Sequence, residues 1–250
     1  MCLLKYNTQN NGWSISSAEN SRFMNATLPR MLFADQFPLF DGLSPMEKQR
    51  LEEVAEFRVK PKYSFIYLAD EPSDTLFFLA KGAVKIGTHS NDGKEIIKSL
   101  IHPKSIFGEL GLIGEQRRQD FAQTLKEEVQ LYMIRVEDFK RLMKTNFGLC
   151  DRLMSSFGDR LMRAETKLES LIFKDARTRI VDFIKEAVEN RGHKVGFEML
   201  LKHSLTHQDI ANITCTSRQT VTLVLNELRK SDLIYFNRGK ILVRDIGKLS

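Results

Sequence analysis

Polar side chains gather on one face of a short helical stretch that begins after Ser217, a typical N-cap residue. Apolar residues at helical spacing form its opposite face: Val221, Val224, Leu225 and Leu228. On the polar face, Arg218 can donate a fork of hydrogen bonds to guanine, and Gln219 can pair with adenine. Ser217, Thr220 and the first N–H groups of the helix suit phosphate oxygens. Taken alone, Arg218 and Gln219 have an alternative role, which is to solvate an ordinary surface helix.

A second short helix is predicted just before this one. Thr206 and Asp209 have the spacing of a capping box, and apolar residues follow at 210, 211 and 213. The tripeptide Thr214-Cys215-Thr216 leaves only a tight turn between the two helices. Two short helices joined in this way predict a helix-turn-helix, whose second helix enters the major groove of duplex DNA.

The residues that follow predict a β-hairpin with a basic tip. Two strand-like runs within 233–244 flank residues 237–240, and such a tip beside a reading helix is typical of a wing that contacts phosphates. Residues 174–250 carry 14 Lys and Arg against 9 Asp and Glu, most of the chain's net charge of +6, which favours a polyanionic partner. The residues predicted to bind double-stranded DNA are Thr206, His207, Ser217, Arg218, Gln219, Thr220, Thr222, Arg238, Gly239 and Lys240.

Three segments precede this C-terminal domain of residues 174–250. Residues 1–30, rich in Asn, Ser and Thr, predict a flexible tail. Residues 31–136 predict a β-roll of the jelly-roll type, because short strand-like runs alternate with turn signals such as Asp92-Gly93. Residues 137–173 predict one long dimerisation helix. The predicted fold class is therefore α+β: an N-terminal β-roll, a long helix and a C-terminal winged helix-turn-helix.

Several elements can be placed within this plan. Ser44, Pro45 and Glu47 predict a capped helix over residues 44–57, and Asp175 predicts the N-cap of a helix that ends at 190–192. The strand-like runs of the roll lie at 63–68, 75–79, 83–88, 95–101 and 130–135.

A narrow apolar seam runs along the long helix. Its members alternate spacings of four and three, as in a coiled coil: Cys150, Met154, Phe157, Leu161, Ala164, Leu168 and Leu171. A helix packed only on its own domain, the alternative, normally shows a wider stripe. The seam therefore favours a homodimer with two-fold symmetry.

This order of parts resembles the CRP/FNR family, the cyclic-AMP receptor and its relatives. The resemblance covers residues 31–250 and is strongest at 107–112, 173–175, 206–211 and 217–221. It implies a bacterial DNA-binding transcription regulator, not an enzyme, that works with RNA polymerase. Gln219 replaces the family's glutamate and Leu223 replaces its second arginine. The DNA half-site should therefore keep a G·C pair read by Arg218 and differ beside it.

The resemblance also implies an effector pocket, formed by Gly108, Glu109, Leu110, Arg118, Gln119, Ala164 and Glu165. In family members the glutamate of a Gly-Glu-Leu turn holds the ribose of a cyclic nucleotide, and a downstream Arg-Ser holds its phosphate. Glu109 and Arg118 match these roles, but Gln119 replaces the serine, and Ala164-Glu165 replace the Thr-Ser that reads adenine. Cyclic AMP is therefore disfavoured. A different small anionic effector, or a purely structural roll with a buried Glu109–Arg118 ion pair, remain the alternatives, and no cofactor is assigned.

Other classes of protein receive less support. Cys2, Cys150 and Cys215 are too scattered for a disulfide framework or an iron–sulfur cluster, and no haem or metal ligand set is found. The apolar stretches are too short to span a bilayer and Met1–Tyr6 is not a secretory signal, so the expected location is the cytoplasm, with no membrane partner. Two alternatives stay open: an adaptor whose C-terminal domain binds protein, and a cupin-like enzyme, for which the roll lacks clustered metal ligands.

Overall fold

The computed structural model describes residues 5–7, 12–14 and 33–249. Its helices and strands follow in this order: β1 (Lys5–Asn7), β2 (Gly12–Ser14), α1 (Pro45–Val54), β3 (Glu56–Lys60), β4 (Phe65–Tyr67), β5 (Thr75–Lys81), β6 (Val84–His89), β7 (Glu95–Ile101), β8 (Ser105–Phe107), β9 (Phe121–Thr124), β10 (Val129–Arg135), α2 (Val136–Thr145), α3 (Phe147–Phe173), α4 (Ala176–Arg191), β11 (His193–Val195), β12 (Glu198–Lys202), α5 (His207–Thr214), α6 (Arg218–Lys230), β13 (Ile234–Asn237) and β14 (Lys240–Val243). Strands β1 and β2 pair antiparallel inside the predicted tail of residues 1–30, and the rest of that tail lies outside the described residues.

The N-terminal domain is the predicted β-roll. Two four-stranded antiparallel sheets build it, in the orders β3-β10-β5-β8 and β4-β9-β6-β7. The predicted hairpin at Asp92-Gly93 is confirmed: it joins β6 to β7, and Gly93 has a φ of +81° that suits glycine. Strands β3, β8 and β9 were not predicted, because β3 is a mostly exposed, charged edge strand and the other two have only three or four residues.

The first helix begins as predicted and ends early. Ser44 and Glu47 form the capping box, with Pro45 in the first turn. The helix ends at Val54 rather than Phe57, because Phe57 belongs to β3 and its ring packs 5.2 Å from that of Tyr132 on β10. Tertiary packing thus overrides the helical spacing at this end.

Aromatic rings fill the roll where it meets α1 and α2. Phe33, Phe37 and Phe40 precede α1, and their ring centroids lie 5.2–5.6 Å from that of Phe78 on β5. All four side chains are fully buried. Burying one such ring stabilises a domain by about 1.5–3 kcal/mol, so this group holds the segment before α1 on the sheet.

The prediction of a single helix over residues 137–173 is wrong, because two helices, α2 and α3, cover this segment. The chain breaks at Asn146, whose side chain accepts a hydrogen bond from Leu149 N–H at 2.8 Å and so caps α3. Asn146 Nδ2 also donates to Glu47 Oε1 at 3.0 Å, which ties the break to α1. Asparagine is neutral inside a helix and favoured at its N-cap, but no apolar spacing changes here to reveal the break.

The C-terminal domain packs α4, α5 and α6 on one four-stranded sheet, ordered β11-β12-β14-β13. Asp175 caps α4 and Gly192 ends it, as predicted. The hairpin β13–β14 is also confirmed. The hairpin β11–β12 was missed, because β11 has three exposed residues and shows no apolar alternation.

The helix-turn-helix packs against the roll of the same chain. Asn212 on α5 donates a hydrogen bond to Glu95 Oε1 on β7 at 3.0 Å. The same oxygen accepts a second hydrogen bond, from Lys85 Nζ, at 2.8 Å. Nearby, Ser204 Oγ donates to Glu127 Oε1 at 2.8 Å. On the other side, Lys167 of α3 donates to the carbonyl of Ile97 at 3.0 Å. Among the described residues, the helices are all too short or too polar to cross a membrane.

Candidate DNA interface and effector pocket

The two predicted helices of the helix-turn-helix, called the reader below, are α5 and α6, and each has the predicted cap. Thr206 and Asp209 form a full capping box on α5, and the Ser217 hydroxyl accepts Thr220 N–H at 3.0 Å at the start of α6. Between the helices, Cys215 adopts a left-handed conformation with φ of +52° and ψ of +49°. A residue with a Cβ occupies that region only at an energetic cost of about 1–2 kcal/mol, so neighbouring contacts must hold the turn.

Arg179 on α4 supplies those contacts. Its Nε donates to the Thr214 carbonyl at 2.9 Å, and its Nη2 donates to the Cys215 carbonyl at 3.3 Å. A third bond runs from Nη1 to the Lys174 carbonyl at 2.7 Å. These carbonyls include the negative end of α5, where a guanidinium is favourable. Arg179 therefore positions the turn that sets α6 against α5.

The face of α6 that is predicted to read bases points to solvent. Arg218 and Gln219 are exposed at its first turn, while Val221, Val224, Leu225 and Leu228 are buried in the domain core. Leu223 is also exposed, at 70% of its surface. The helix can thus offer a guanidinium and an amide to a groove without unpacking.

Thr222 and His207 are already engaged with each other. The Thr222 hydroxyl donates its one proton to the Arg218 carbonyl at 2.9 Å, and His207 Nδ1 lies 3.1 Å from the same oxygen. His207 must therefore donate from Nδ1. Burial, and then the charge of Arg218, lower the pKa of His207, which favours the neutral ring. The rings of His207 and Phe236 also pack edge to face, with their centroids 6.0 Å apart, which joins α5 to the wing.

The wing is a tight hairpin with two exposed cations. Asn237 pairs with Lys240 across a turn formed by Arg238 and Gly239, and Gly239 has a φ of +77°. The Asn237 side chain accepts Arg238 N–H at 2.7 Å. A Cβ at Gly239 would lie 3.0 Å from the His203 carbonyl oxygen, so glycine allows both the turn and its close approach to the domain.

The effector-pocket residues of the roll are brought together only in part. Glu109 is buried, with 3% of its surface exposed, and its Oε1 forms an ion pair with Arg160 of α3. Arg160 Nη2 also donates to the Ile106 carbonyl at 2.5 Å. Burial raises the pKa of the Glu109 carboxyl, and Arg160 opposes that shift. The alternative of a Glu109–Arg118 ion pair is therefore wrong, since the partner of Glu109 is Arg160.

Arg118 is buried in a separate set of contacts. It donates to the Gly108 carbonyl at 2.8 Å and to the Thr75 carbonyl at 2.5 Å. Its guanidinium lies 4.5 Å from the centroid of Tyr67 and 5.7 Å from that of Phe77, within range of a cation–π interaction. Three buried side-chain atoms lack a hydrogen-bond partner among the described residues, and two of them, Glu109 Oε2 and Arg118 Nε, belong to this predicted pocket; the third is Arg152 Nη2.

The remaining pocket residues do not complete a nucleotide site. Gln119, Ala164 and Glu165 are exposed, and Leu110 is 40% exposed. The acid expected to hold ribose is bound by Arg160, and the arginine expected to hold phosphate is bound by two carbonyls and an aromatic ring. The residues present therefore do not fit cyclic AMP in the way that the family resemblance implied. Among the described residues, there is also no cluster of three or more His, Cys, Asp or Glu that could hold a metal ion.

Comparison with known proteins places both domains. Residues 57–146 match the cyclic nucleotide-binding domain, and residues 178–250 match the Crp-like helix-turn-helix domain. The cAMP-activated global transcriptional regulator Vfr of Pseudomonas aeruginosa is 30% identical over 193 residues, which cover 74% of this chain and 87% of Vfr. The chain belongs to the CRP/FNR family of DNA-binding transcription regulators.

Two further matches, one in sequence and one in fold, agree with these findings. The global nitrogen regulator of Synechocystis is 28% identical over 186 residues, which cover 74% of this chain and 83% of that protein. The structure of FixK2 from Bradyrhizobium japonicum superposes with a TM-score of 0.70 at 21% identity, covering 78% of this chain and 96% of FixK2. At that identity the superposition shows the shared fold and nothing more. The predicted family, fold class and role in transcription are thus confirmed.

The predicted seam of this CRP/FNR protein lies mainly on the exposed surface of α3. Met154, Leu161 and Leu168 are 56%, 62% and 59% exposed, and Leu171 is 38% exposed. Ala164 is exposed, whereas Cys150 and Phe157 are half-buried. A different face of the same helix, with Leu149 and Leu153, is buried against the roll.

Sequence reasoning missed three side chains that organise these sites. Arg179 holds the reader's turn, Arg160 binds Glu109, and Glu95 ties the roll to α5. Each acts on a partner 35 to 117 positions away, so no local spacing could single it out.

Proposed function

We propose that this regulator binds a two-fold symmetric duplex site as a homodimer joined along α3. Its domains would be the roll at 31–136, the dimerisation segment at 137–173 and the DNA-binding domain at 174–250. The two copies of α6 would enter successive major grooves about 34 Å apart. Transcription would follow through contact with RNA polymerase in the cytoplasm, as the family resemblance implies.

The exposed seam of α3 carries the homodimer proposal. Leu161 and Leu168 lie two turns apart with about three-fifths of their surfaces in solvent. Exposure on this scale along one helical stripe is typical of an interface. Since only about three-fifths of each side chain is left to bury, packing it against a second copy would stabilise the dimer by about 1–2 kcal/mol.

The contacts with DNA follow from the chemistry of the exposed groups. Arg218 would read guanine through O6 and N7, and Gln219 would read the neighbouring base pair. Thr206, Ser217 and Thr220 at the two helix N-termini, together with the wing cations Arg238 and Lys240, would hold phosphates.

For the roll, we propose that cyclic AMP is not the controlling ligand. The support is that Arg160 binds Glu109 and that Ala164 and Glu165 cannot supply the hydroxyl pair that the family uses. A different small anionic effector remains the candidate for this domain.

The test is selection from a random duplex library by the purified full-length protein, with and without cyclic AMP. The expected result is one palindromic motif, with a G·C pair in each half-site, retained equally in both samples. A motif retained only with cyclic AMP would overturn the proposal for the roll. Retention of a protein partner but no DNA motif would favour the adaptor alternative.

Dimerisation has its own test in sedimentation equilibrium. Leu161→Glu places a charge in the seam and should raise the dimer dissociation constant at least a hundredfold. Thr166→Glu is the matched control, since Thr166 is exposed on the same helix outside the seam. Equal behaviour of the two variants would refute the interface on α3.

A further inference from the structure

A cleft separates the roll from the C-terminal domain at the ends of β6 and β7. Its interior has a volume of about 290 Å³, close to the lower end of the range of about 300–1,000 Å³ for small-molecule sites. The roll contributes His102 and Glu127 to its walls, and the C-terminal domain contributes Arg191, Lys202, His203 and Ser204. Both domains thus line one cavity that lies apart from the effector pocket at Glu109.

Basic groups dominate this cleft. Within residues 33–249, neither Arg191 nor Lys202 forms an ion pair or a side-chain hydrogen bond. The only acid in the wall, Glu127, already accepts the Ser204 hydroxyl at 2.8 Å. By contrast, Arg177, Arg179 and Arg244 of the same domain are all engaged with carboxylates or carbonyls.

The basic groups also act on each other. Burial lowers the pKa of His102 to about 4, and the charge of Arg191 adds to that shift. Burial and Arg191 lower the pKa of His203 in the same way. Burial lowers the pKa of Arg191 as well, with Glu186 as the acid that partly offsets it. Arg191 and Lys202 are therefore the charged donors of the cleft, and both histidines favour the neutral form. The acids near these cations are Glu127 in the wall and Glu186 beside Arg191.

The donors in the cleft suit an oxyanion. His203 Nδ1 accepts Leu205 N–H at 3.2 Å, so the neutral ring carries its proton on Nε2 and can donate from there. Arg191 offers a planar fork of N–H groups that matches carboxylate or phosphate oxygens. Lys202 adds a mobile ammonium at the rim.

We propose that this cleft binds a small multivalent oxyanion, a metabolite that carries phosphate groups or several carboxylates. Arg191, Lys202 and the two histidines supply its donors. Since its walls come from both domains, the bound anion holds the helix-turn-helix in the orientation seen here. It changes DNA affinity only through its different affinity for this orientation and others.

The experiment titrates the full-length protein with sodium pyrophosphate and, separately, with sodium citrate, by calorimetry at constant ionic strength in NaCl. The ring signals of His102 and His203 are followed by NMR in parallel, which is practical because the chain has five histidines. We expect saturable binding of at least one anion, with shifts of both ring signals. Pyrophosphate binding alone would indicate a phosphorylated ligand, and citrate binding alone would indicate a polycarboxylate.

Variants locate the site. Arg191→Gln should weaken binding at least tenfold and Lys202→Gln severalfold, whereas Lys194→Gln, an exposed charge on β11 outside the cleft, should leave it unchanged. Lys202 is exposed, so its variant tests the site even if Arg191→Gln unfolds the domain. The proposal is overturned if neither anion binds saturably, if Lys194→Gln weakens binding as much as Lys202→Gln does, or if binding leaves both ring signals unmoved.

Discussion

Replacing Arg179 by alanine should loosen the helix-turn-helix without touching its DNA-facing side chains. Arg179 makes three hydrogen bonds to carbonyls, of which that to Thr214, at 2.9 Å, is short and partly buried. A hydrogen bond from a charged donor contributes about 1.5–3 kcal/mol, and the bonds to Cys215 and Lys174 are longer or more exposed. The free energy of unfolding should therefore fall by about 2–4 kcal/mol.

The affinity of the reader for DNA should also fall, because the turn between α5 and α6 is no longer fixed. Cys215 is held in the left-handed region, and without Arg179 the turn can relax toward ordinary backbone conformations. Affinity for the selected duplex should then drop by more than affinity for random duplex, because only specific binding needs α6 at a fixed angle. Urea denaturation and fluorescence anisotropy on both duplexes measure the two effects.

Arg177→Ala is the matched control for this prediction. It removes the same type of side chain from the same helix, where the partly exposed ion pair with Glu227 at 3.1 Å should itself contribute less than about 1 kcal/mol. The reasoning is refuted if Arg179→Ala loses no more stability than Arg177→Ala, or if it weakens both duplexes equally.

The remaining predictions concern the reader, the wing and the cleft. Arg218→Ala should cost about 1–3 kcal/mol at the selected site and relax the preference at one base position, whereas uniform weakening on every sequence would mean that Arg218 touches only phosphate. Lys240→Ala should weaken binding evenly and lower the slope of log affinity against log salt by about 1, and a changed motif in library selection would contradict this. His102 has a folded pKa of about 4 against about 6.5 when unfolded, so the native state binds fewer protons and loses stability as the pH falls from 6.5 to 4. His102→Gln should remove about 1 kcal/mol of that loss in unfolding free energy between pH 6.5 and 5, a value already halved because the ring is partly exposed. If the variant's unfolding free energy, measured by denaturation, falls with pH as steeply as that of the wild type, this prediction is refuted.

Local signals were sufficient for the parts of this fold that rest on local chemistry. Ser44, Asp175 and Ser217 are N-caps because a short side chain three residues before a free N–H can accept from it, and the sequence shows that spacing directly. The same holds for the Gly93 and Gly239 hairpins, where a positive φ is needed. The two helices of the helix-turn-helix and the hairpin after them followed from signals of this kind, and the family followed from the order of the parts.

What the sequence could not show depends on contacts between distant positions. The break at Asn146 is fixed partly by Glu47, which lies 99 residues earlier. Strand β3 replaces the end of the predicted helix because Phe57 meets Tyr132 in space. A Glu109–Arg118 ion pair was one alternative for the roll, yet Arg160, 51 residues from Glu109, binds the carboxylate instead.

These distant contacts also suggest how the two domains could influence each other. Arg160 and Lys167 attach one helix, α3, to the roll at Glu109 and at the Ile97 carbonyl of β7. Glu95, two residues earlier on β7, accepts a hydrogen bond from Asn212 of α5, the first helix of the helix-turn-helix. A ligand that displaced Arg160 from Glu109 would therefore act on α3, the helix that carries the proposed dimer seam. An anion in the cleft would instead act on the contact between the roll and the residues just before α5. Because the two sites act on different contacts between elements, variants of Arg160 and of Arg191 should change DNA affinity independently. If those variants proved fully interdependent, the roll, α3 and the reader would have to move as one rigid unit.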